Sequence, residues 1–168
     1  MASSANGKYT RSGVPTSFTS LTPFLVIPRA KAAVEFYRDV FGAQVLGVTE
    51  MGGALVHAEL DFGAGRLQLG EPSPAFGTVP APAEGACYSL GLYCADVDAR
   101  LEAALAAGAT LREPIADFVS GDRYASIVDP FGIRWTIMTR IEDLSDEETA
   151  ARDAAWAAEQ SRCPGSGA

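Results

Sequence analysis

The chain has 168 residues, an apolar fraction of 48 %, a charged fraction of 20 % and a net charge of −8, enough length and apolar content for a domain with its own core. The acidic balance, with a pI near 4.6, excludes nucleic-acid binding through a basic surface, because that needs clustered Lys and Arg to release counterions. No apolar run approaches the roughly 20 residues of a membrane span, and residues 1–20 lack the continuous apolar core of a signal peptide, so the expected location is cytoplasmic.

Residues 1–19 are rich in Ser, Gly and Thr, show no hydrophobic period and read as a mobile arm. A first strand is predicted over 22–27, ended by Pro28. A helix follows, with Ala30, Val34, Tyr37 and Phe41 at helical spacing and Gly42 as its stop. A second strand is predicted over 44–48, and Met51, Gly52 and Gly53 make a turn. The third strand, 54–62, alternates: Ala54, Val56, Ala58, Leu60 and Phe62 fall on one face, Leu55, His57, Glu59 and Asp61 on the other. A fourth strand spans 66–70. Residues 71–86 hold four prolines and two glycines, Pro72, Pro74, Pro80, Pro82, Gly77 and Gly85, and read as a connector rather than an element.

The second half repeats the plan. A strand is predicted over 88–94, then a helix capped by Asp96 with Val97, Leu101 and Leu105 on its apolar face. A strand near 110–113, a polar loop through Gly121, Asp122 and Arg123, and a hairpin turning at Asp129, Pro130 and Gly132 complete it. Shifting the sequence by 68 positions lays Asp61 on Asp129, Arg66 on Arg134, Gln68 on Thr136 and Leu69 on Ile137. The chain therefore reads as a duplicated βαβββ unit: an arm 1–20, a first module 21–71, a connector 72–86, a second module 87–140, and a C-terminal helix and tail 141–168. Ser145 and Glu148 form a capping box ahead of that last helix, with Trp156 as its large apolar anchor. Cys87, Cys94 and Cys163 show no CxxC spacing and read as free thiols.

A duplicated βαβββ unit carrying Glu35-Phe36-Tyr37-Arg38-Asp39-Val40-Phe41-Gly42-Ala43 and Val128-Asp129-Pro130-Phe131-Gly132 resembles the vicinal oxygen chelate superfamily, in its glyoxalase and bleomycin-resistance-like branch. The resemblance implies an α+β fold in which two four-stranded curved mixed sheets enclose a pocket, and a homodimer. It also implies four metal-ligand positions, which fall here on Thr22, Gln68, Ser89 and Thr136. Three hydroxyls and one amide offer no anionic oxygen or imidazole to a divalent ion, so no metal or other cofactor is expected.

Strand parity places Thr22, Phe24, Leu55, Gln68, Ser89, Tyr93, Arg134, Thr136 and Met138 on the pocket side, with Tyr124 as a lid, and Leu25, Ile27, Leu67, Leu69, Leu90, Leu92, Trp135 and Ile137 against the helices. Arg66 and Arg134 either flank an anionic ligand or are paired surface groups, and Glu71 lies at the pocket mouth or in solvent. His57 and Glu59 are the acid–base candidates. The expected function is binding of an organic small molecule without metal. The alternatives are a metal-free enzyme working through His57 or Glu59, and a metal-dependent lyase or dioxygenase.

Overall fold

In the computed structural model, which describes residues 4–162, two four-stranded sheets repeat one connectivity. The arm holds a small hairpin of its own, β1 (Thr10–Arg11) and β2 (Val14–Pro15). The first module then runs β3 (Phe24–Val26), α1 (Ala30–Asp39), β4 (Gln44–Met51), β5 (Ala54–Asp61) and β6 (Arg66–Gly70). The second runs β7 (Leu90–Tyr93), α2 (Val97–Ala106), β8 (Thr110–Asp117), β9 (Asp122–Val128) and β10 (Arg134–Arg140). Helix α3 (Asp146–Arg162) closes the described chain. Each sheet pairs its first strand parallel to its last and has the second strand at the far edge, in the orders β3-β6-β5-β4 and β7-β10-β9-β8. The chain divides into two units at Gly85 and Ala86.

Alternation decides the core of each unit. Leu25, Ile27, Leu67 and Leu69 are buried in the first, Leu92, Trp135 and Ile137 in the second, all on the faces predicted to meet the helices. Helix α1 adds Ala30, Ala33, Val34, Phe36 and Tyr37 to that interior and packs on β5 and β4. The ring of Tyr37 stacks on Phe41 at 5.8 Å between centroids. Truncating so large a buried ring costs about 3–5 kcal/mol. Gly42 and Gly108 end α1 and α2 in the left-handed region, at φ +75° and +94°, where a side chain is strained. Asp96 accepts from the amide of Ala99 at 3.0 Å, the predicted cap of α2.

Several expectations need correction. Asp122 and Arg123 do not lie in a loop. Both open β9, Asp122 bonding Arg140 and Arg123 bonding Asp98 and Asp117. The connector holds a 3-10 turn, Pro74–Phe76. The third strand does not alternate throughout, with consequences for Leu55 and Val56 described below.

Candidate functional site

The face of the first sheet away from α1 carries the mixed chemistry. Cross-strand partners share a face, and Phe24, Gln68 and Glu59 are successive partners across β3, β6 and β5. On the opposite face the equivalent partners are Leu25, Leu69 and Ala58, all buried. His57 flanks Ala58 and points with Glu59 to the mixed face, where its ring lies 6.2 Å from that of Phe24.

Simple alternation would carry Leu55 onto that face too, and here the prediction fails. The β4–β5 ladder pairs Thr49 with His57 and then Glu50 with Leu55, so Val56 is an extra residue. Such a bulge reverses parity beyond it. Leu55 turns into the core, 1 % exposed, and Val56 turns out, 37 % exposed. Leu55 therefore does not reach the mixed face, and Val56 takes its place.

The bulge also shapes the floor. A Cβ at Gly70 would stand 2.5 Å from the carbonyl oxygen of Val56 and 3.0 Å from the ring of Phe24, so only glycine fits. Just beyond, Glu71 donates its amide to the carbonyl of Leu55 at 2.8 Å. The connector then returns over the sheet. Ser73 and Thr78 hold its ends together through bonds of 2.9 and 3.2 Å, and Pro74 starts the 3-10 turn that presents Phe76. The result is a cavity of about 390 Å³ lined by Phe24, Ala54, Val56, Glu71, Pro72, Ser73, Phe76 and Thr78. That size and apolar character suit a small organic molecule. Phe76 went unrecognised in the sequence, although an aromatic between Pro74 and Gly77 in a polar connector is the signal that marks it.

The other end of the same face is occupied by charge. Arg66 donates through a terminal nitrogen to Glu59, and both side chains are largely buried. The guanidinium carbon lies over the ring of Phe18, 4.3 Å from its centroid. Thr22 sits just before β3 and donates to the carbonyl of Thr19 at 3.4 Å.

The second module neutralises its polar groups internally. The carboxylate of Asp122, 7 % exposed, accepts from Arg140 Nε at 2.8 Å, Ser120 Oγ at 2.8 Å and Tyr93 Oη at 3.3 Å. Arg134 donates to Glu113 at 2.9 Å and to Ser126 at 3.3 Å. The hydroxyls of Ser89 and Thr136 stand 3.5 Å apart. A cavity of about 240 Å³ lies among Phe118, Ser120, Asp122, Tyr124, Thr136 and Met138. Tyr124 belongs to β9, paired with Met138, and is a wall of this cavity rather than a lid. Trp156 of α3 meets the edge of Phe118 at 5.2 Å, which anchors the last helix.

Among the described residues, no group of three or more His, Cys, Asp or Glu side chains is placed to hold a metal ion, and no helix is long and apolar enough to cross a membrane.

Residues 19–137 match the family model for the glyoxalase/bleomycin resistance protein/dioxygenase superfamily. An uncharacterised protein of Mycobacterium bovis is 33 % identical over 137 residues, which is 79 % of this chain and 90 % of that one. Among solved structures, a gene product of Arabidopsis thaliana is 27 % identical with a TM-score of 0.60, over 71 % of this chain and 98 % of its own. TioX from Micromonospora sp. ML1 is 24 % identical with a TM-score of 0.58, over 76 % and 100 %.

Proposed function

From a chain that belongs to the glyoxalase/bleomycin resistance protein/dioxygenase superfamily, we propose a protein that binds an organic small molecule without a metal, on the mixed face of its first module. The observation that carries this reading is the 390 Å³ cavity between Phe24, Val56 and Phe76. Apolar walls supply most of the binding surface, and a few polar groups orient the guest.

Two further observations support it. The positions that the resemblance assigns to metal ligands are Thr22, Gln68, Ser89 and Thr136, and the hydroxyls of Ser89 and Thr136 stand 3.5 Å apart. Hard divalent ions take anionic oxygens, and softer ones take imidazole or thiolate. This donor set fits neither. Glu59, one acid–base candidate, is engaged by Arg66, which weakens the reading as a metal-free enzyme and leaves His57 alone to support it. A homodimer belongs to the same proposal. Leu46, Val48 and Met51 on edge strand β4 remain 40–69 % exposed, an apolar edge that a second copy would cover.

The test is native mass spectrometry and elemental analysis of purified protein, followed by thermal melts with and without chelator. An organic adduct lost in Val56→Arg, and a melting temperature indifferent to chelation, are the expected outcome. One transition metal per chain with a chelator-sensitive melt overturns it. Turnover abolished by His57→Ala would favour the enzyme, and a 17.6 kDa species at all micromolar concentrations would remove the dimer.

A further inference from the structure

We propose that the second module carries a small-molecule site of its own, for a neutral aromatic ring with an N–H or O–H donor, and that helix α3 completes the site by holding Phe118 in its wall. This site is independent of the first-module cavity.

The cavity of about 240 Å³ on the second sheet falls below the usual range of ligand pockets and suits a guest no larger than a fused bicycle. Phe118 and Tyr124 meet edge to face at 6.1 Å, and Met138 adds a polarisable thioether. Such surfaces favour an aromatic guest. The polar lining is Ser120, Asp122 and Thr136. Ser120 gives its proton to Asp122 Oδ2 at 2.8 Å, so its own oxygen is left to accept. Asp122 Oδ2 also takes the Tyr93 hydroxyl and a terminal nitrogen of Arg140, at 3.3 Å each, and Oδ1 takes Arg140 Nε at 2.8 Å. Ser120 and Asp122 therefore accept without donating, and the guest must bring the donor. Arg140 balances the charge of Asp122, so a cationic guest would meet a second cation where a neutral donor meets none.

The wall depends on residues 118–121, the turn between β8 and β9. Phe118 and Ser120 of this turn line the cavity. The chain beyond β10 grips the same turn. The carbonyl of Gly121 accepts from the amides of Ile141 and Glu142 at 2.9 and 3.2 Å. A Cβ at Gly121 would stand 3.0 Å from the side chains of Glu142 and Leu144. Trp156 meets Phe118 edge-on at 5.2 Å, and Arg152, bonded to Glu142 at 3.0 Å, reaches the carbonyl of Val119 at 3.5 Å. Among the described residues of α3 none is buried, so surface contacts of this kind are what dock it. The superfamily match covers residues 19–137; the cavity turn lies inside it and the grip lies beyond. Phe118 thus links two neighbours, the cavity and Trp156. A wall ordered in advance lowers the cost of binding. The coupling is reciprocal, so a guest that orders Phe118 also favours a docked α3.

Indole is the probe. Benzofuran, a flat bicycle of the same size with an acceptor oxygen where indole has its donor, is the control. Protein labelled with 13C-methyl methionine reports on both modules, because Met138 lines the cavity and Met51 ends β4. Indole should shift Met138 and leave Met51 unmoved, and it should bind about fivefold tighter than benzofuran, the worth of one hydrogen bond. The Met138 shift should persist in Val56→Arg, which blocks the first-module cavity. If Phe118 holds its place only a fifth of the time without Trp156, Trp156→Ala weakens indole about fivefold. Trp156→Phe keeps a ring against Phe118 and should restore most of that loss. Should Trp156→Ala lower the melting temperature, Arg152→Ala, which loosens α3 at its other hold, decides with a smaller loss in the same direction. An unmoved Met138 at millimolar indole overturns the proposal, as do equal affinities for indole and benzofuran. Indole affinity unchanged in both Trp156→Ala and Arg152→Ala overturns the part assigned to α3.

Discussion

In both modules an aspartate folds the turn between the last two strands, but only one of the two carboxylates is buried. Asp61 accepts from the amide of Gly63 at 2.7 Å. Asp129, its counterpart, accepts from Phe131 and Ile133 at 2.9 Å each, and its second oxygen accepts from the indole nitrogen of Trp135 at 2.9 Å. The position equivalent to Trp135 is Leu67, which has no donor. One exchange of leucine for tryptophan converts a local turn bond into a buried linchpin, 4 % exposed. Removing Asp129 takes an acceptor from two turn amides and from the buried indole N–H, and a lost buried hydrogen bond costs about 1–3 kcal/mol. Urea unfolding should show Asp129→Ala less stable by about 3 kcal/mol and Asp61→Ala by less than about 1 kcal/mol. Equal losses would mean that the two turns are the same device.

The first and last strands show a second, reciprocal difference. The first module sets Phe24 on β3 against Gly70 on β6. The second module places Gly91 and Met138 at the equivalent positions. The large side chain has moved from the first strand to the last, and in each case it leans over the glycine: the Phe24 ring lies 3.0 Å from a Cβ built at Gly70, Met138 Cε 3.2 Å from one built at Gly91. Their surroundings differ in stiffness. At Gly70 the nearer obstacle is the backbone carbonyl of Val56, whereas at Gly91 it is the flexible tip of a methionine. Gly70→Ala should therefore cost about 1–3 kcal/mol as overpacking, and Gly91→Ala no more than about 0.5 kcal/mol. Chemical denaturation of the pair checks this. A costly Gly91→Ala beside a benign Gly70→Ala would contradict the bulge that brings Val56 over β6.

That bulge marks where the sequence stops being legible. The duplication, the face of α1 and its stop at Gly42 follow from spacing, because burial enforces a period of 3.6 in helices and 2 in strands; in α2 the spacing picked Leu105, which is exposed, where the structure buries Ala104. Leu55 and Val56 are both apolar, so a one-residue slip between them leaves the hydrophobic pattern almost unchanged, and parity alone assigns the wrong one to the cavity. The arginines were legible as types and not as partners. Arg66 and Arg134 are related by the repeat, yet Arg66 binds Glu59 on the adjoining strand β5 and Arg134 binds Glu113 at the sheet edge. Partners of this kind depend on rotamers across strands, which no local spacing encodes. Phe76 was hidden for another reason: connectors are read by their breakers, and a single ring among prolines carries no period.

The smallest expected effect concerns an attachment that only the second module carries. Helix α3 has no counterpart in the first module, and Trp156 on Phe118 and Arg152 on Glu142 at 3.0 Å hold it in place. Its first turn rests on the capping box: Glu148 accepts from the amide of Ser145 at 2.9 Å and from its hydroxyl at 2.8 Å, and Ser145 Oγ accepts from the amide of Glu148 at 3.2 Å. The backbone bond from Ser145, and then its hydroxyl, hold the Glu148 carboxyl below the usual glutamate range. A carboxyl whose pKa is depressed by folding stabilises the helix fully above its unfolded value, and that contribution is lost as the pH falls through the folded value. Acidification below the usual glutamate range should fray the start of α3 before either sheet is affected. Glu148→Gln keeps an acceptor but not the charge, so it should begin with a slightly less helical α3 and show a flatter response to acid. Circular dichroism at 222 nm, read as the difference between the two proteins from neutral pH downward, isolates this group from the other carboxylates. Parallel curves for the two would mean that α3 is held by Trp156 and Arg152 alone and that its cap contributes nothing to the second module.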